Sequence, residues 1–339
     1  MSKLQIVADA YIPYLEPLAQ IADVKVLAPE DITRDVVADA DALLVRTRTR
    51  CDEALLGGSR VRFVGTATIG HDHIDLDWCR RAGIVATNAP GCNAPAVAQY
   101  VFSSLMHLAN RQLRRLTIGI VGVGHVGSIV ERWARALHMR VMRCDPPRQR
   151  AEGGDDWYTL EQLAERADVI TFHTPLTREG EDATYHLADE RFFGALRRGP
   201  IVINAARGPV ADTTAWLEAI QAGVVGKSVV DCWEGEPHID MRLLELADIA
   251  TPHIAGYSLE GKQRATYMVV QRLCETFGLP MLDLGFEPAP VPDAISPVEA
   301  LRGYNPMIDM EALRAYPDDF ENLRNNYPLR HELRGRVIF

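Results

Sequence analysis

Short apolar runs alternate with amphipathic stretches along most of the chain. The first five runs are LQIVAD, VKVLA, ALLVR, RFVGTAT and IVATN. Continuous apolar runs of about four to eight residues, rich in Val and Ile, are typical of strands buried on both faces of a parallel sheet. Because helical spacing fills the stretches between them, the pattern predicts an α/β sheet that ends near Asn88.

A second series of the same kind begins at LTIGIVGVG, after a long helical stretch over residues 93–109. Its later strands are predicted in RVMRCD, VITFHT, IVINAA, KSVVDCW and DIATPHI. One sheet with this many strands would be large, so two doubly wound parallel sheets fit better. The predicted ranges are 1–92 with 254–272 for one domain and 93–253 for the other, with hinges near residues 89–93 and 254–257.

The pattern changes after about Gln271. The stretch LDLGFEPAPVPDAISP predicts an extended connector, and MEALRAYPDDFENLRNNYPLRHELRG predicts charged helices. Residues 273–339 are therefore interpreted as a small appended element. We expect its apolar residues to pack on a partner surface, and they are Leu313, Phe320 and Leu323.

Composition narrows the possible functions. The chain has 339 residues and a formal net charge of −10, and it has no basic stripe, which disfavours nucleic-acid binding. Its six cysteines are scattered without metal-ligand spacing, and no apolar run reaches 18 residues, so a cytoplasmic protein that neither spans a membrane nor holds a metal is expected. The triplet His71-Asp72-His73 could suggest a metal site, but loop packing is the interpretation.

A glycine-rich turn joins the first strand of the second series to an amphipathic helix. Gly122, Gly124 and Gly127 form G-x-G-x-x-G, in which the first glycine permits the turn, the second admits a pyrophosphate and the third brings the helix close to the sheet. Asp145 ends the next strand, 18 residues after Gly127, and could accept both hydroxyls of a ribose. The spacing predicts NAD, although Arg148 would suit the 2′-phosphate of NADP.

Three polar motifs follow predicted strands of the second series, where parallel sheets bind ligands. They are NAARGPVAD with Arg207, VVDCWEGEP with Glu236, and TPHIAGYS with His253. An arginine can hold a carboxylate with two hydrogen bonds, a histidine can take a hydroxyl proton, and an acid can orient that histidine. Each residue alone has a simpler structural explanation, but their joint occurrence behind the glycine turn predicts hydride transfer from a small 2-hydroxy acid.

This order of motifs resembles the D-isomer specific 2-hydroxyacid dehydrogenase family. The resemblance implies a flavodoxin-like substrate domain split between the chain ends and an inserted Rossmann-like NAD domain. It also implies that Arg207 binds the substrate carboxylate, that Glu236 supports the base and that His253 is the acid/base. The implied cofactor contacts beyond the three glycines and Asp145 are His125, Val126, Thr174, Ala205, Ala206, Asp231 and Gly256.

Longer strings, among them PGCNA, CDPPR and HIAGYSLEGK, resemble members of the family that act on a phosphorylated 2-hydroxy acid. By position, the substrate residues implied are Thr47, Thr68, Tyr257 and Arg46. In VRTRTR, Arg46, Arg48 and Arg50 would share one face of a strand. Phosphate binding or a solvated charge stripe would each explain the first two, and a solvated surface charge is the interpretation of Arg50. Those members carry a C-terminal dimerisation domain, which implies a homodimer. Two alternatives remain open. One is another dehydrogenase of the family, acting on phosphoglycerate or glyoxylate, and the other is an NAD-binding corepressor.

Overall fold

The computed structural model describes residues 3–109 and 113–333. Every predicted apolar run forms a strand within this part of the chain. The strands are β1 (Leu4–Asp9), β2 (Ala22–Leu27), β3 (Ala42–Val45), β4 (Phe63–Thr66), β5 (Val85–Thr87), β6 (Thr117–Val121), β7 (Arg140–Cys144), β8 (Val169–Phe172), β9 (Ile201–Asn204), β10 (Lys227–Val230) and β11 (Ile249–Ala250).

Helices connect these strands, and further helices follow the last one. They are α1 (Arg34–Val37), α2 (Glu53–Leu56), α3 (Leu76–Arg81), α4 (Ala94–Leu108), α5 (His125–Ala136), α6 (Pro146–Glu152), α7 (Leu160–Arg166), α8 (Glu190–Gly194), α9 (Thr213–Gln221), α10 (Met241–Leu246), α11 (Leu259–Phe277), α12 (Pro297–Gly303), α13 (Pro306–Ala315) and α14 (Phe320–Asn325). In the described residues, none of them is long and apolar enough to cross a membrane.

The first compact unit comprises residues 3–93 and 258–290. Its parallel sheet has the strand order β2-β1-β3-β4-β5, which is the doubly wound arrangement expected for a flavodoxin-like domain. Helix α11 returns the chain to this unit and lies directly on β4. A Cβ atom at Gly65 would come 2.5 Å from Val269 of α11, so a glycine in the strand permits this close packing.

The second unit comprises residues 94–257 and 291–333. Its parallel sheet has the order β11-β10-β9-β8-β6-β7, with a buried apolar cluster on each face. The division between the units falls after Asn93, after Tyr257 and after Pro290. That the chain hinges near residues 89–93 and 254–257 stays a prediction. The residues predicted as a third element are shared, since 273–290 lie in the first unit and 291–333 in the second; residues 334–339 are outside the described part.

The expectation that the C-terminal apolar side chains pack on a partner surface is wrong. Leu313 and Phe320 are fully buried in a core cluster of their own unit, and Leu323 packs against the same cluster. Arg314 of α13 reinforces this attachment by donating to the carbonyl oxygen of Ala247 at 2.8 Å. These side chains stabilise the second unit because the chain itself removes their apolar surface from water.

Candidate active site

One edge of the second sheet collects nearly all the polar motifs that the sequence singles out. The strands are parallel, so their carboxyl ends lie at the same edge. The glycine turn follows β6, Thr174 follows β8, Arg207 follows β9, Asp231 follows β10 and His253 follows β11. Strands β6 and β8 are neighbours while β7 lies on the other side of β6, and this change of direction opens a crevice where such sheets bind ligands.

The glycine turn has the geometry that a dinucleotide requires. Gly122 has φ +85°, and a Cβ atom there would come 2.9 Å from the backbone of Thr174 on the neighbouring loop. A Cβ atom at Gly127 would come 2.1 Å from the carbonyl oxygen of Gly122, so only glycine lets α5 begin this close to the turn. A Cβ atom at Gly124 meets nothing within 4 Å, which leaves open space beside the N-terminus of α5. His125 and Val126 form the first turn of this helix.

Asp145 is held in place at the end of β7. Its carboxylate accepts from the backbone N–H of Val123 at 2.8 Å and from that of Arg148 at 2.9 Å, where it caps α6. The Arg148 side chain, which could have favoured NADP, donates to the carbonyl oxygen of Val123 and to the hydroxyl of Ser128 at 3.1 Å. A carboxylate fixed beside the glycine turn suits a ribose with free hydroxyls better than a 2′-phosphate.

Thr174 supplies a test of whether a ligand belongs at this edge. Its hydroxyl oxygen is buried without a hydrogen-bond partner in the described structure, and buried polar groups are normally paired. Gly122 lies directly against Thr174, and Ala205 and Ala206, which follow the neighbouring strand β9, are buried. A buried hydroxyl without a partner beside the glycine turn fits a bound dinucleotide.

Asp231 organises the loop that carries the predicted base. It is 1% exposed and accepts from the hydroxyl of Thr251 at 2.7 Å and from the backbone N–H groups of Ile254 at 2.8 Å and Ala255 at 3.0 Å. Burial raises the pKa of Asp231 above its ordinary value, against the opposing effects of His253 and these hydrogen bonds. The loop that begins after β11 and runs to Gly256 is therefore tied to the end of β10.

His253 and Glu236 form the pair that the sequence predicts. His253 Nδ1 lies 2.8 Å from Glu236 Oε2 and 3.1 Å from Oε1, and Glu236 also accepts from the backbone N–H of Trp233 at 2.8 Å. Burial alone would raise the pKa of Glu236, but His253, the Trp233 amide and Arg324 stabilise the anion and hold that pKa below its usual value. His253 has φ +55°, a strained conformation of the kind that persists at functional sites.

Arg207 lies on the neighbouring loop, half-buried, and its Nη1 donates to the carbonyl oxygen of Ala206 at 2.7 Å. Gly208 brings this loop against the one that carries Glu236, since a Cβ atom at Gly208 would come 1.9 Å from the carbonyl oxygen of Trp233. Asn204 fastens the same turn by donating to the carbonyl oxygen of Arg207 at 2.9 Å. The guanidinium and the carboxylate–imidazole pair are thus presented at one edge of one sheet.

Three of the predicted substrate residues lie in the first unit, after β3 and β4. Thr47 is exposed, and the Thr68 hydroxyl, half-buried, lies 2.7 Å from that of Thr66 and donates to the carbonyl oxygen of Gly70. Arg46 is half-buried, and its charge acts on Lys262, a residue of the HIAGYSLEGK string to which the sequence interpretation gave no role. Burial first, and the charge of Arg46 second, lower the pKa of Lys262, so the two cations repel each other.

The expectation that the arginines of VRTRTR share one face of a strand is wrong. Strand β3 ends at Val45, and the residues after Arg46 form a turn, so the period of two does not apply to them. Arg50 forms an exposed ion pair with Asp52 at 2.6 Å, in line with its interpretation as a solvated surface charge.

Two groups of possible metal ligands contain histidine, and neither gives much support to a metal centre. His71 is exposed beside Asn88, and burial lowers the pKa of His73 to about 4. In the described part of the chain, Cys232, Glu236 and His253 offer three ligand atoms within 4.8 Å of one another. The guanidinium of Arg324, 3.5 Å from Glu236, opposes a cation at that position.

Arg324 itself is a feature of the site that the sequence motifs did not indicate. It lies on α14, far along the chain from the other groups, and it also hydrogen-bonds Tyr257. Tyr257 further packs its ring edge-on against Tyr327, with centroids 6.1 Å apart. Tyr327 belongs to residues 291–333, which are called the C-terminal segment below. No local pattern in ENLRNN distinguishes this arginine from an exposed one, so only the tertiary structure reveals it.

Comparison with known proteins agrees with this arrangement. Residues 94–255 match the model of the D-isomer specific 2-hydroxyacid dehydrogenase, NAD binding domain. A solved structure of D-lactate dehydrogenase from Aquifex aeolicus, complexed with NAD and lactic acid, is similar at a TM-score of 0.66 and 27% identity, over 80% of this chain and 96% of that one. The chain belongs to the D-isomer specific 2-hydroxyacid dehydrogenase family, and its cofactor is NAD.

Relatives within the family narrow the range of enzymes that this chain resembles. A protein of Bacteroides thetaiotaomicron called erythronate-4-phosphate dehydrogenase is 48% identical over 338 residues, which cover 97% of each chain. A protein of Pseudomonas fluorescens with the same name is 45% identical and covers 98% of this chain and 94% of that one. The similarity extends through the C-terminal segment, beyond the part that the family model matches.

Proposed function

We propose that the protein oxidises 4-phospho-D-erythronate to 3-hydroxy-2-oxo-4-phosphooxybutanoate, with hydride transfer to NAD, in pyridoxine and pyridoxal 5′-phosphate biosynthesis. The observation that carries the chemistry is the contact of His253 Nδ1 with the Glu236 carboxylate at 2.8 Å, at the sheet edge that also holds the glycine turn. The names of the relatives at 45–48% identity support the choice of substrate.

The residues of this edge divide the work of an oxidation. Glu236 accepts from Nδ1 of His253, so Nε2 is the nitrogen that can take the proton of the C2 hydroxyl. The carboxylate then stabilises the imidazolium that forms, and Arg207 has the planar fork that binds the substrate carboxylate with two hydrogen bonds. NAD, when bound, supplies the acceptor for the hydride that leaves C2.

For the terminal phosphate we propose basic side chains of the first unit. Arg46 and Lys262 lie close enough for the charge of Arg46 to act on the lysine, and a doubly charged phosphate would relieve their mutual repulsion. Thr47 and Thr68 follow neighbouring strands of the same sheet and offer hydroxyls. The proposed role of Tyr257 is to contact the substrate from the His253 loop.

The substrate assignment is tested with four acids: 4-phosphoerythronate, erythronate, 3-phosphoglycerate and D-lactate. The 2-oxo acid product is measured directly, with NAD and a 2-oxo acid acceptor present, because NADH that stays bound would escape detection. We expect the highest kcat/KM with 4-phosphoerythronate and a large loss with erythronate, which lacks the phosphate. A higher kcat/KM for another acid would overturn the substrate while leaving the catalytic residues in place.

The glycine cradle gives a prediction about cofactor binding. Gly124→Ala adds a methyl group that meets only open space in the protein, so the fold should keep its melting temperature. The same methyl group would occupy the place of the pyrophosphate, and we expect the Kd for NAD to rise at least about tenfold, the equivalent of about 1.4 kcal/mol. Isothermal titration calorimetry measures this directly.

Gly194→Ala is the matched control, since its Cβ atom also meets nothing within 4 Å but lies at the end of α8. Its Kd and melting temperature should equal those of the unchanged protein. If Gly124→Ala also bound NAD normally, the pyrophosphate would not lie over this turn.

We further propose that the protein is a homodimer in which the C-terminal segment forms part of the interface. Ile308 and Tyr316 of this segment are 63% and 66% exposed, although Leu313 between them is buried within the chain. Large apolar side chains on one surface are typical of protein interfaces. Light scattering after size-exclusion chromatography should give twice the mass of 37.6 kDa; a mass of one chain would contradict the proposal.

A further inference from the structure

The C-terminal segment places a half-buried cation beside the proposed catalytic carboxylate. Arg324 Nη1 lies 3.5 Å from Glu236 Oε2, and the arginine side chain is only 25% exposed. Its Nε atom is buried without a hydrogen-bond partner in the described structure, and a hydrogen bond joins the side chain to Tyr257. Both contacts lie within the second unit, so they do not depend on how the two units are placed.

We propose that Arg324 is a positioning residue for the proposed reaction: it keeps Glu236 ionised and directed at His253, and so sets the pH range in which the pair can accept a proton. This inference rests on the proposed function for its kinetic test only. The arginine acts through Glu236, because the contacts that the structure shows for its guanidinium are with Glu236 and Tyr257 rather than with the His253 ring.

A second arginine of the same segment fixes this arrangement. Arg330 Nη1 donates to the carbonyl oxygen of Ile254 at 3.0 Å, and Nη2 donates to those of Ala255 and of Ala96, the latter at 3.2 Å. Its guanidinium also stacks over the ring of Tyr304 at 4.3 Å. The segment is thereby fastened to the two residues that follow His253, and the position of α14 beside Glu236 is determined by the same loop that carries the base.

The charges around the Glu236–His253 pair determine whether loss of Arg324 makes protonation of the pair easier or harder. Glu236 is acted on by His253 and Arg324, while burial acts against its charge. The charge of Asp231 acts on His253. Both Arg207 and Arg324 act on the thiol of Cys232, but burial keeps the pKa of that thiol well above its ordinary value. The titratable groups around the pair and its neighbouring arginine are thus Asp231, Cys232 and Tyr257, and the cations are Arg207 and Arg324.

Removal of the Arg324 charge should make the pair bind a proton more readily. The desolvation that raises the pKa of Glu236 is then opposed by one cation fewer, and a proton shared by Glu236 and His253 is no longer repelled by the guanidinium. Because the two groups are coupled, the titration belongs to the pair rather than to either residue. The pair must lose its proton before it can act as a base, so the acid limb of the kcat profile moves to higher pH.

The test compares Arg324→Met with Arg324→Lys in the full-length protein with saturating NAD and substrate. For Arg324→Met we expect the acid limb of kcat to move up by about one pH unit, with kcat falling about tenfold on that limb and recovering at high pH. Arg324→Lys retains a charge and should restore most of the profile. The inference would be overturned if kcat of Arg324→Met fell by the same factor at every pH, or if the acid limb of its kcat profile stayed where it is in the unchanged protein.

Arg314→Met is the matched control, since Arg314 fastens the same segment through the carbonyl oxygens of Leu244 and Ala247, away from Glu236 and from the loop after His253. It should lower the melting temperature and leave the acid limb where it is; a limb that moved as far as in Arg324→Met would assign the effect to loosening of the segment and overturn the role of Arg324.

A readout without substrate separates this inference from the proposed function. The histidine ring signals of the protein without cofactor are followed by NMR against pH, with His253 assigned through its Asn variant. The titration midpoint of the pair should rise by about one unit in Arg324→Met. An unchanged midpoint contradicts the inference even if 4-phosphoerythronate is the substrate, and a raised midpoint supports it even if another acid is.

Discussion

Replacement of His253 by asparagine should lower kcat by about a thousandfold and leave the Kd for NAD unchanged. General acid–base catalysis is worth about 10²–10⁴ in rate, and His253 is the group at this edge that can take the hydroxyl proton. Asparagine is the substitution of choice because His253 has φ +55°, and asparagine adopts this left-handed conformation more readily than most residues. Steady-state kinetics and calorimetric titration of NAD measure the two quantities.

His238→Asn is the control for this result. His238 lies two residues after Glu236 and is exposed. Its loss should change neither kcat nor NAD affinity. If His253→Asn weakened NAD binding as much as it lowered turnover, or retained full turnover, His253 could not be the base.

Replacement of Arg207 by lysine should lower kcat/KM for the 2-hydroxy acid by about a hundredfold, and replacement by methionine by about a thousandfold. Lysine retains a positive charge but lacks the planar fork that pairs with both oxygens of a carboxylate. Methionine removes the charge as well, and each hydrogen bond to a charged group is worth about 1.5–3 kcal/mol. Initial rates over a range of substrate concentrations give kcat/KM for each variant.

Arg242→Met provides the comparison for this second result, because Arg242 forms an exposed ion pair with Asp240 in the same unit. It should retain the full kcat/KM. Equal values for Arg207→Met and the unchanged protein would remove Arg207 from the substrate site.

The sheet architecture was predictable because a strand buried on both faces leaves a continuous apolar run. Each run from LQIVAD to DIATPHI forms a strand, and the predicted helix over residues 93–109 is α4. The polar motifs that follow these runs were also predictable, since parallel strands end at one edge. The proposed set Arg207, Glu236 and His253 could be singled out because each lies in a polar motif after a predicted strand, and the parallel direction of these strands brings their loops to the same side.

The features that depend on tertiary contacts were predicted wrongly or not at all. The alternation in VRTRTR looked like a strand, but β3 ends at Val45 and a turn follows. Leu313 and Phe320 were expected to pack on a partner surface, but the core that buries them belongs to their own unit. Arg324 lies on a short charged helix, and its contact with Glu236 joins residues remote in sequence, so no local pattern could reveal it.

In the proposed reaction, hydride passes from C2 of 4-phosphoerythronate to NAD. The most direct measurement uses substrate that carries deuterium at C2, mixed with an equal amount of protein and excess NAD, and then denatured to release all nucleotide. Mass spectrometry should find one deuterium in the reduced nucleotide and an equal amount of the 2-oxo acid, even if the reduced cofactor never leaves the intact enzyme. Reduced nucleotide without deuterium, or no reduced nucleotide at all while another 2-hydroxy acid transfers its label, would contradict direct hydride transfer from this substrate.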